Sequence, residues 1–372
     1  MIICWVMVGL FALLGLIFMC AVICGWSHLK LAIDVIDASA DFLDDTKQIY
    51  FSPFFFFMCA FISVVVWTVC VIGVYSEGTI TPDPVVPQVK KVFLEDIQKY
   101  MLLYLLFAIL WLTAWFEYAN SFVVMHSATQ YYFQWKKNES TDTLEKLREV
   151  SVMESVKCAF LKHPGSIAIG AFLIALIRFI RIIFVYIAKQ IEKQSGENPV
   201  VKLVLKCVAC LLWCLEKIAD YINEAAYAYQ AVSGDNFCSS AWSGFLLNLK
   251  HLAKFAFANS IAKMFVALGK FAIVLTNMGL AYFIMGLTGS IDQVSSVWGP
   301  LICVGLVTFI TASIFLGLLD QSVMGMMTSL AVDMDLHGGE AQYGPETFHE
   351  SIGKVSSKVT VAPKEDFEPM MM

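Results

Sequence analysis

FFFFMCAFISVVVWTVCVIGVY (Phe54–Tyr75) contains no Asp, Glu, Lys or Arg. One bilayer crossing needs about 20 apolar residues at about 1.5 Å of helical rise each. A barrel strand would be about half as long and would alternate in polarity. The run therefore reads as a transmembrane helix. Similar runs recur at Met1–Cys24, Tyr100–Trp135, Ser166–Ala188, Ile261–Leu287 and Trp298–Leu319. Tyr100–Trp135 is too long for a simple crossing and is expected to tilt or project beyond the bilayer.

Composition agrees. Of 372 residues, 59% are hydrophobic and 15% charged, with mean hydropathy +0.71. A soluble domain is nearer half apolar and a quarter charged. An all-α polytopic membrane protein follows, with six or seven transmembrane helices plus interfacial amphipathic ones. The net charge of −6 comes without any basic block, which speaks against a nucleic-acid partner. The 11 cysteines are scattered, and Cys20, Cys24, Cys59, Cys70 and Cys303 lie within apolar runs, where they read as buried free thiols. Met1–Cys24 has no basic leader segment and no small-residue cleavage site, so it is expected to be the first crossing rather than a signal peptide.

Between the runs, Trp26–Tyr50 interleaves Leu, Ile and Val with Asp and reads as an amphipathic helix at the surface. Ser76–Gln88, with three prolines, reads as a loop. Asn138–Lys162 is charged, and Leu144, Leu147, Val150, Met153 and Val156 give it a helical pattern. Trp242–Asn259 is again amphipathic. The transmembrane part is expected to end near residue 335, and residues 336–372 read as a polar tail.

The segment Leu205–Ala241, LKCVACLLWCLEKIADYINEAAYAYQAVSGDNFCSSA, mixes apolar and aromatic residues with charges, amides and four cysteines. Residues 200–232 are either a seventh crossing or a helix that enters and leaves by one face. Lys136, Lys137, Lys146, Arg148, Lys157 and Lys162 place their connection in the cytoplasm, and the Ile291–Val297 link, without Lys or Arg, outside. The tail is then cytoplasmic, and parity favours the seventh crossing.

CLLWCLEK (Cys210–Lys217), with Asn223, Tyr227 and DNFCSSA (Asp235–Ala241), resembles the signature of the choline transporter-like family. LGKFAIV (Leu268–Val274), SIFLGLLDQ (Ser313–Gln321) and AVDMDLHGG (Ala331–Gly339) are similar to further family segments. HPGSIAIGA (His163–Ala171) and the pair Trp111, Trp115 match more loosely. The motif positions are thus Trp213, Cys214, Glu216, Lys217, Asn223, Tyr227, Asn236, Phe237, Cys238, Gly269, Lys270, Asp320 and Asp333. The family departs from this chain at Ala225–Ala226–Tyr227, where Asn-Ala-Tyr is common, and at Leu336–Gly339, in place of an Asn-Asp-Gly type motif. Members have ten spans and a large extracellular loop after the first. The chain resembles roughly their C-terminal two-thirds and is expected to lack that loop and the spans after it. The resemblance implies movement of choline or a related organic cation for phospholipid synthesis, with no chemical step. It also implies a plasma-membrane or organelle location and lipids as neighbours. Two alternatives stand beside it: a non-transporting assembly protein that keeps the family core, and a lipid-handling protein such as a scramblase.

A quaternary ammonium ion cannot donate a hydrogen bond, so aromatic faces and a nearby carboxylate hold it. Trp111, Trp115 and Tyr118 fall at i, i+4 and i+7 on one helical stripe, Glu117 is adjacent and Asn120 follows. They are candidates for a substrate path with Glu117 as counter-charge. Helix packing by the aromatics, with Glu117 reaching a basic partner or headgroups, is the other reading. Arg178 and Arg181 either pair with Glu117, Glu216, Asp320 or lipid phosphate, or snorkel to the interface. Asp320 either caps a gate or marks the interface, and Lys270 suits a structural ion pair because it would repel a cationic substrate. Cys207, Cys210 and Cys214 share a helix face, but with Cys238 they lack a second paired spacing for zinc. Packing or palmitoylation suits them better. Asn138-Glu139-Ser140 is a glycosylation sequon on the expected cytoplasmic side. No Gly-rich phosphate loop, HExxH or Ser/His/Asp set appears, and His28, His126, His163, His251, His337 and His349 are isolated in sequence. No enzyme, metal or cofactor is implied.

Overall fold

The computed structural model describes residues 26–82, 90–138, 143–195, 199–289, 296–339 and 341–345. The expected first crossing at Met1–Cys24, two sequon residues and the tail beyond residue 345 lie outside this set. The helices are α1 (Trp26–Asp45), α2 (Phe51–Ser76), α3 (Asp96–Phe133), α4 (Val152–Lys157), α5 (Pro164–Ser195), α6 (Pro199–Ser233), α7 (Phe237–Lys250), α8 (Leu252–Leu287) and α9 (Trp298–Leu336). Two antiparallel hairpins interrupt them: β1 (Thr79–Pro82) with β2 (Lys90–Phe93), and β3 (Trp135–Asn138) with β4 (Thr143–Lys146).

Five helical segments among the described residues are long and apolar enough to cross a bilayer: Lys47–Ser76, Asp96–Phe133, Pro164–Gln194, Asn259–Leu287 and Trp298–Leu336. In lipid every backbone N–H and C=O must be satisfied within the segment, and only continuous helices or closed barrels manage this. α6 is not among the five by hydropathy. It is one unbroken helix of 35 residues that lies antiparallel to α5.

The core is concentrated toward one end of the bundle. α3 buries Ala114, Tyr118, Phe122, Met125 and Tyr132, whereas Tyr100, Tyr104 and Trp111 in its first half are exposed. α9 repeats this, with Leu318 to Asp333 largely buried and Ile302 to Ile310 mostly exposed. In lipid the exposed apolar halves are at no disadvantage, because acyl chains are as apolar as leucine. α9 approaches α3 closely at Gly325, where an added Cβ would lie 2.9 Å from the Met125 carbonyl oxygen. Small residues at such crossings let backbones meet.

Three local expectations are revised. α1 is amphipathic, but Val35, Ala38 and Phe42 are fully buried against the bundle, because its apolar stripe finds protein rather than the lipid interface. The Ser76–Gln88 segment contributes β1 to a hairpin. The stretch after Asn138 forms β4 first and turns helical only from Val152, as α4 and a π-helical turn over Cys158–Lys162; the Ser151 hydroxyl accepts from the Glu154 amide at 3.3 Å. A short charged stretch nucleates helix poorly, whereas the Leu147 amide donates to the Gln134 carbonyl at 2.7 Å and the Lys146 ammonium lies 5.8 Å above the Trp135 ring.

Gly325→Val should force α3 and α9 apart. We expect a loss of about 1–3 kcal/mol, read as a lower unfolding temperature of the purified protein in detergent. An equal substitution at Gly73, which has open space around it, should change little.

Candidate functional site

The register of α5 against α6 builds the site. Asn223 Nδ2 donates to the Gly170 carbonyl at 3.0 Å, and Tyr227 Oη donates to the Ile167 carbonyl at 3.1 Å. Gly170 is required here, since a Cβ at that position would collide with the Tyr227 hydroxyl and lie 2.9 Å from the Phe237 ring. One turn further, Gln230 Nε2 sits 2.9 Å from His163 Nδ1 and donates to the Asp235 carbonyl at 2.7 Å. Burial, with Lys162 alongside, lowers the His163 imidazole from its ordinary range, and Nδ1 in its unprotonated form accepts from that amide.

This register brings Glu216 of α6 to two arginines of α5. Arg178 Nε donates to Glu216 Oε1 at 3.2 Å, and Arg181 pairs with the other oxygen of the same carboxylate. The remaining nitrogens of Arg178 lie 3.6 Å from Glu117 Oε2 of α3 and 3.9 Å from Asp220 Oδ1 of α6. Asp220 Oδ1 also accepts from Tyr118 Oη at 2.8 Å, and Lys217 stands 3.4 Å from Asp220 Oδ2. One guanidinium thus joins three helices. Its planar fork suits several acceptors at once, which a lysine ammonium would serve less well. The Glu216 side chain is only 11% exposed, whereas that of Glu117 is 61% exposed. Glu117 is the open edge of the cluster.

The aromatic stripe is present but divided. Trp111 Nε1 donates to the Ala168 carbonyl at 3.0 Å, and Trp115 Nε1 to the Pro164 carbonyl at 3.2 Å. Both indoles fasten α3 to the start of α5, and only Tyr118 reaches the charged cluster. Asn120 turns toward α2 and accepts from the Ser52 hydroxyl at 2.7 Å. Of the expected partners, Glu117 and Glu216 meet Arg178. Asp320 does not; its charged neighbours are Lys263 and Lys270 of α8 and Glu224 of α6, and its Oδ1 is buried without a hydrogen bond. Gly269 packs on Leu316. Asn236 caps α7 by accepting from the Ser239 amide at 3.0 Å, and Phe237 lies against Tyr227. Trp213 and Cys238 are exposed, Cys214 is half-buried and Asp333 is fully buried. Among the described residues no three His, Cys, Asp or Glu side chains are arranged to hold a metal ion. Asp220 was missed by sequence reasoning, although Glu216, Asp220 and Glu224 fall at i, i+4 and i+8 along α6 and place carboxylates on successive turns.

Long apolar helices joined by a shared ion cluster define a polytopic helical membrane protein. A family model described as plasma-membrane choline transporter matches residues 9–335, and the chain belongs to that family. It is 31% identical over 242 residues to choline transporter-like protein 1 of Xenopus laevis, covering 65% of this chain and 35% of that protein. It is 25% identical over 320 residues to choline transporter-like protein 3 of Homo sapiens, covering 85% of this chain and 46% of that one. With choline transporter-like protein 5 of Xenopus tropicalis it shares 27% over 256 residues, 67% of this chain and 35% of the relative. The chain therefore spans less than half the length of these relatives.

Removing the shared cation should be severe, because three carboxylates lose a common partner. Arg178→Ala is expected to cost about 3–5 kcal/mol, seen as early unfolding in a thermal melt in detergent. Arg178→Lys should recover part of the loss by keeping the charge without the fork.

Proposed function

We propose that this protein moves choline or a related quaternary ammonium ion across a membrane, the plasma membrane in the first instance, and that the Arg178 junction borders the path. Glu117 carries the proposal. A carboxylate at the centre of a spanning helix costs about 2.5–3.5 kcal/mol on insertion scales, yet Glu117 is exposed and holds only a share of Arg178 at 3.6 Å. That arrangement supports a carboxylate that faces a hydrated cavity and exchanges its cation partner. A quaternary ammonium fits the exchange, since it needs charge and ring faces but no acceptor. The indole N–H groups of Trp111 and Trp115 are engaged with α5, which leaves ring faces as the part available to such a ligand. Asn120, turned to α2, falls outside the proposed path. The transport reading involves no bond making or breaking by the protein.

The second reading, a membrane core that assembles but does not transport, is favoured by one observation: the polar groups of the motif residues Asn223 and Tyr227 are spent on backbone carbonyls of α5, where they fix helix register. Uptake of radiolabelled choline into proteoliposomes separates the two. We expect saturable uptake, and a KM about tenfold higher for Glu117→Gln, equivalent to about 1.4 kcal/mol of lost binding. An unchanged KM rejects Glu117 as counter-charge, and no uptake with wild-type protein favours the assembly role. A dye-labelled lipid assay on the same vesicles tests lipid handling.

Orientation follows from the basic connection around β3 and β4, which we place in the cytoplasm with the tail. Asn138 should then stay unglycosylated, and glycosidase treatment of protein from animal cells should leave its electrophoretic mobility unchanged.

A further inference from the structure

The chain leaving α9 does not simply depart from the bundle. The His337 amide donates to the Asp333 carbonyl at 3.1 Å and the Gly339 amide to the Met334 carbonyl at 2.7 Å. Gly338 and Gly339, at φ 70° and 104°, then turn the chain back. Residues 341–345 run along β3. Tyr343 forms an antiparallel bridge with Lys136, and the Gly344 amide donates to the Trp135 carbonyl at 3.2 Å. The Tyr343 ring meets Phe133 edge-on at 5.4 Å and lies beneath the Lys136 ammonium at 5.8 Å.

Asp333 holds this segment from below. It is 0% exposed, and its Oδ2 accepts from the Tyr343 amide at 2.9 Å and from Tyr132 Oη at 2.8 Å. Its Oδ1 is 2.8 Å from His337 Nδ1. One carboxylate therefore links α3, α9 and the returning segment. Two residues on, Asp335 reaches Lys250 at 2.8 Å and His251 at 3.1 Å, where α7 passes into α8. The last turns of α9 thus hold together the ends of α3, α7 and α8, at the end of the bundle where the core lies.

We propose that residues 341–345 are a latch that closes this end of the bundle, with Asp333 as its keeper. Two features make it a latch rather than a fixed strand. Among the described residues its ties are local and few: one bridge, one amide to β3, one amide to Asp333 and the Tyr343 ring, which meets Phe133, His337 and Lys136, with Ala341 beside the core, hinged on two glycines. Segments with so few ties open well below the free energy of global unfolding. The keeper also tolerates release, because a carboxylate that loses a buried amide partner is rescued by water, whereas it would remain costly if left dry. Opening would therefore hydrate Asp333 and free the α3–α9 contact together. The link to turnover rests on the transport reading; the opening itself does not.

Antiparallel bridge partners have Cα atoms about 4.5–5.5 Å apart, within the span of a disulfide. The test is the full chain carrying Lys136→Cys and Tyr343→Cys, reconstituted and oxidised. Wild type and each single variant, given the same oxidant, control for native cysteines. We expect oxidation to slow amide hydrogen exchange over residues 325–336 at least tenfold relative to the reduced double variant, with recovery in dithiothreitol. Gly344→Pro, which removes the amide bonded to Trp135 and cannot adopt the φ of 105° found there, should speed the same exchange. Equal exchange in the oxidised and reduced double variant overturns the latch. In protein that transports, choline uptake should fall at least tenfold in the oxidised form, and uptake indifferent to the cross-link overturns the latch as a gate. If no form transports, wild type included, the transport reading fails, and the exchange comparison alone decides the latch.

Discussion

A guanidinium inside a membrane helix has to be satisfied by protein, and much of this architecture follows from how Arg178 is satisfied. Its donors reach Glu216, Glu117 and Asp220 on two other helices. Lipid offers no substitute for those acceptors, so α3, α5 and α6 are bound to meet at one level. The meeting requires a fixed α5–α6 register, which Asn223 and Tyr227 supply through backbone carbonyls near Gly170. Remove the register and Glu216 slides past Arg178. Remove the arginine and the register holds three like charges together.

The concentration of burial at one end has a related cause. Polar links accumulate there: Tyr131 to Asp45 at 3.1 Å, Ser329 to Thr129 at 3.2 Å and Gln321 to Ser121 at 2.9 Å each join different helices. Such bonds have direction, so they favour close helix contact, and Gly325 provides the room for it. The opposite halves of α8 and α9 carry mostly apolar side chains without direction of this kind. Lipid can replace protein around them at little cost. Rigidity and looseness are therefore distributed along the helices rather than between them.

The long apolar runs were legible because hydropathy alone decides whether a segment prefers lipid. Five expected crossings within the described residues correspond to helices long and apolar enough for the task. The hairpins were not legible, since Trp135–Asn138 and Thr143–Lys146 carry a charge pattern that also fits a helix, and only backbone pairing settles the matter. The extension of α9 beyond Leu319 was partly hidden. Its residues from Gln321 to Asp333 look like the exit from a span, but they build the core against α3. At the site, Glu117, Tyr118 and Glu216 were visible as rare charges and rings in apolar context. Asp220 was passed over because its role depends on a tyrosine hydroxyl 102 residues away, which no local spacing reveals. Trp111 and Trp115 show the opposite problem: a stripe with the right spacing for a ligand cage has its N–H groups fixed to a neighbouring helix.

The division of labour among the family-motif residues bears on what the family likeness means. Asn223, Tyr227, Phe237 and Asn236 set the packing of α5, α6 and α7, and Gly269 sits in the α8–α9 contact. Asp333 holds α3, α9 and the returning segment together. These roles are architectural: each joins helices or caps one. Glu117, the most exposed carboxylate of the Arg178 junction, lies outside those motifs. In this chain the motif residues therefore account for helix packing and for the register that brings Glu216 to Arg178. On the proposed transport reading, substrate choice would rest on the exposed edge of that junction, where Glu117 stands beside Tyr118.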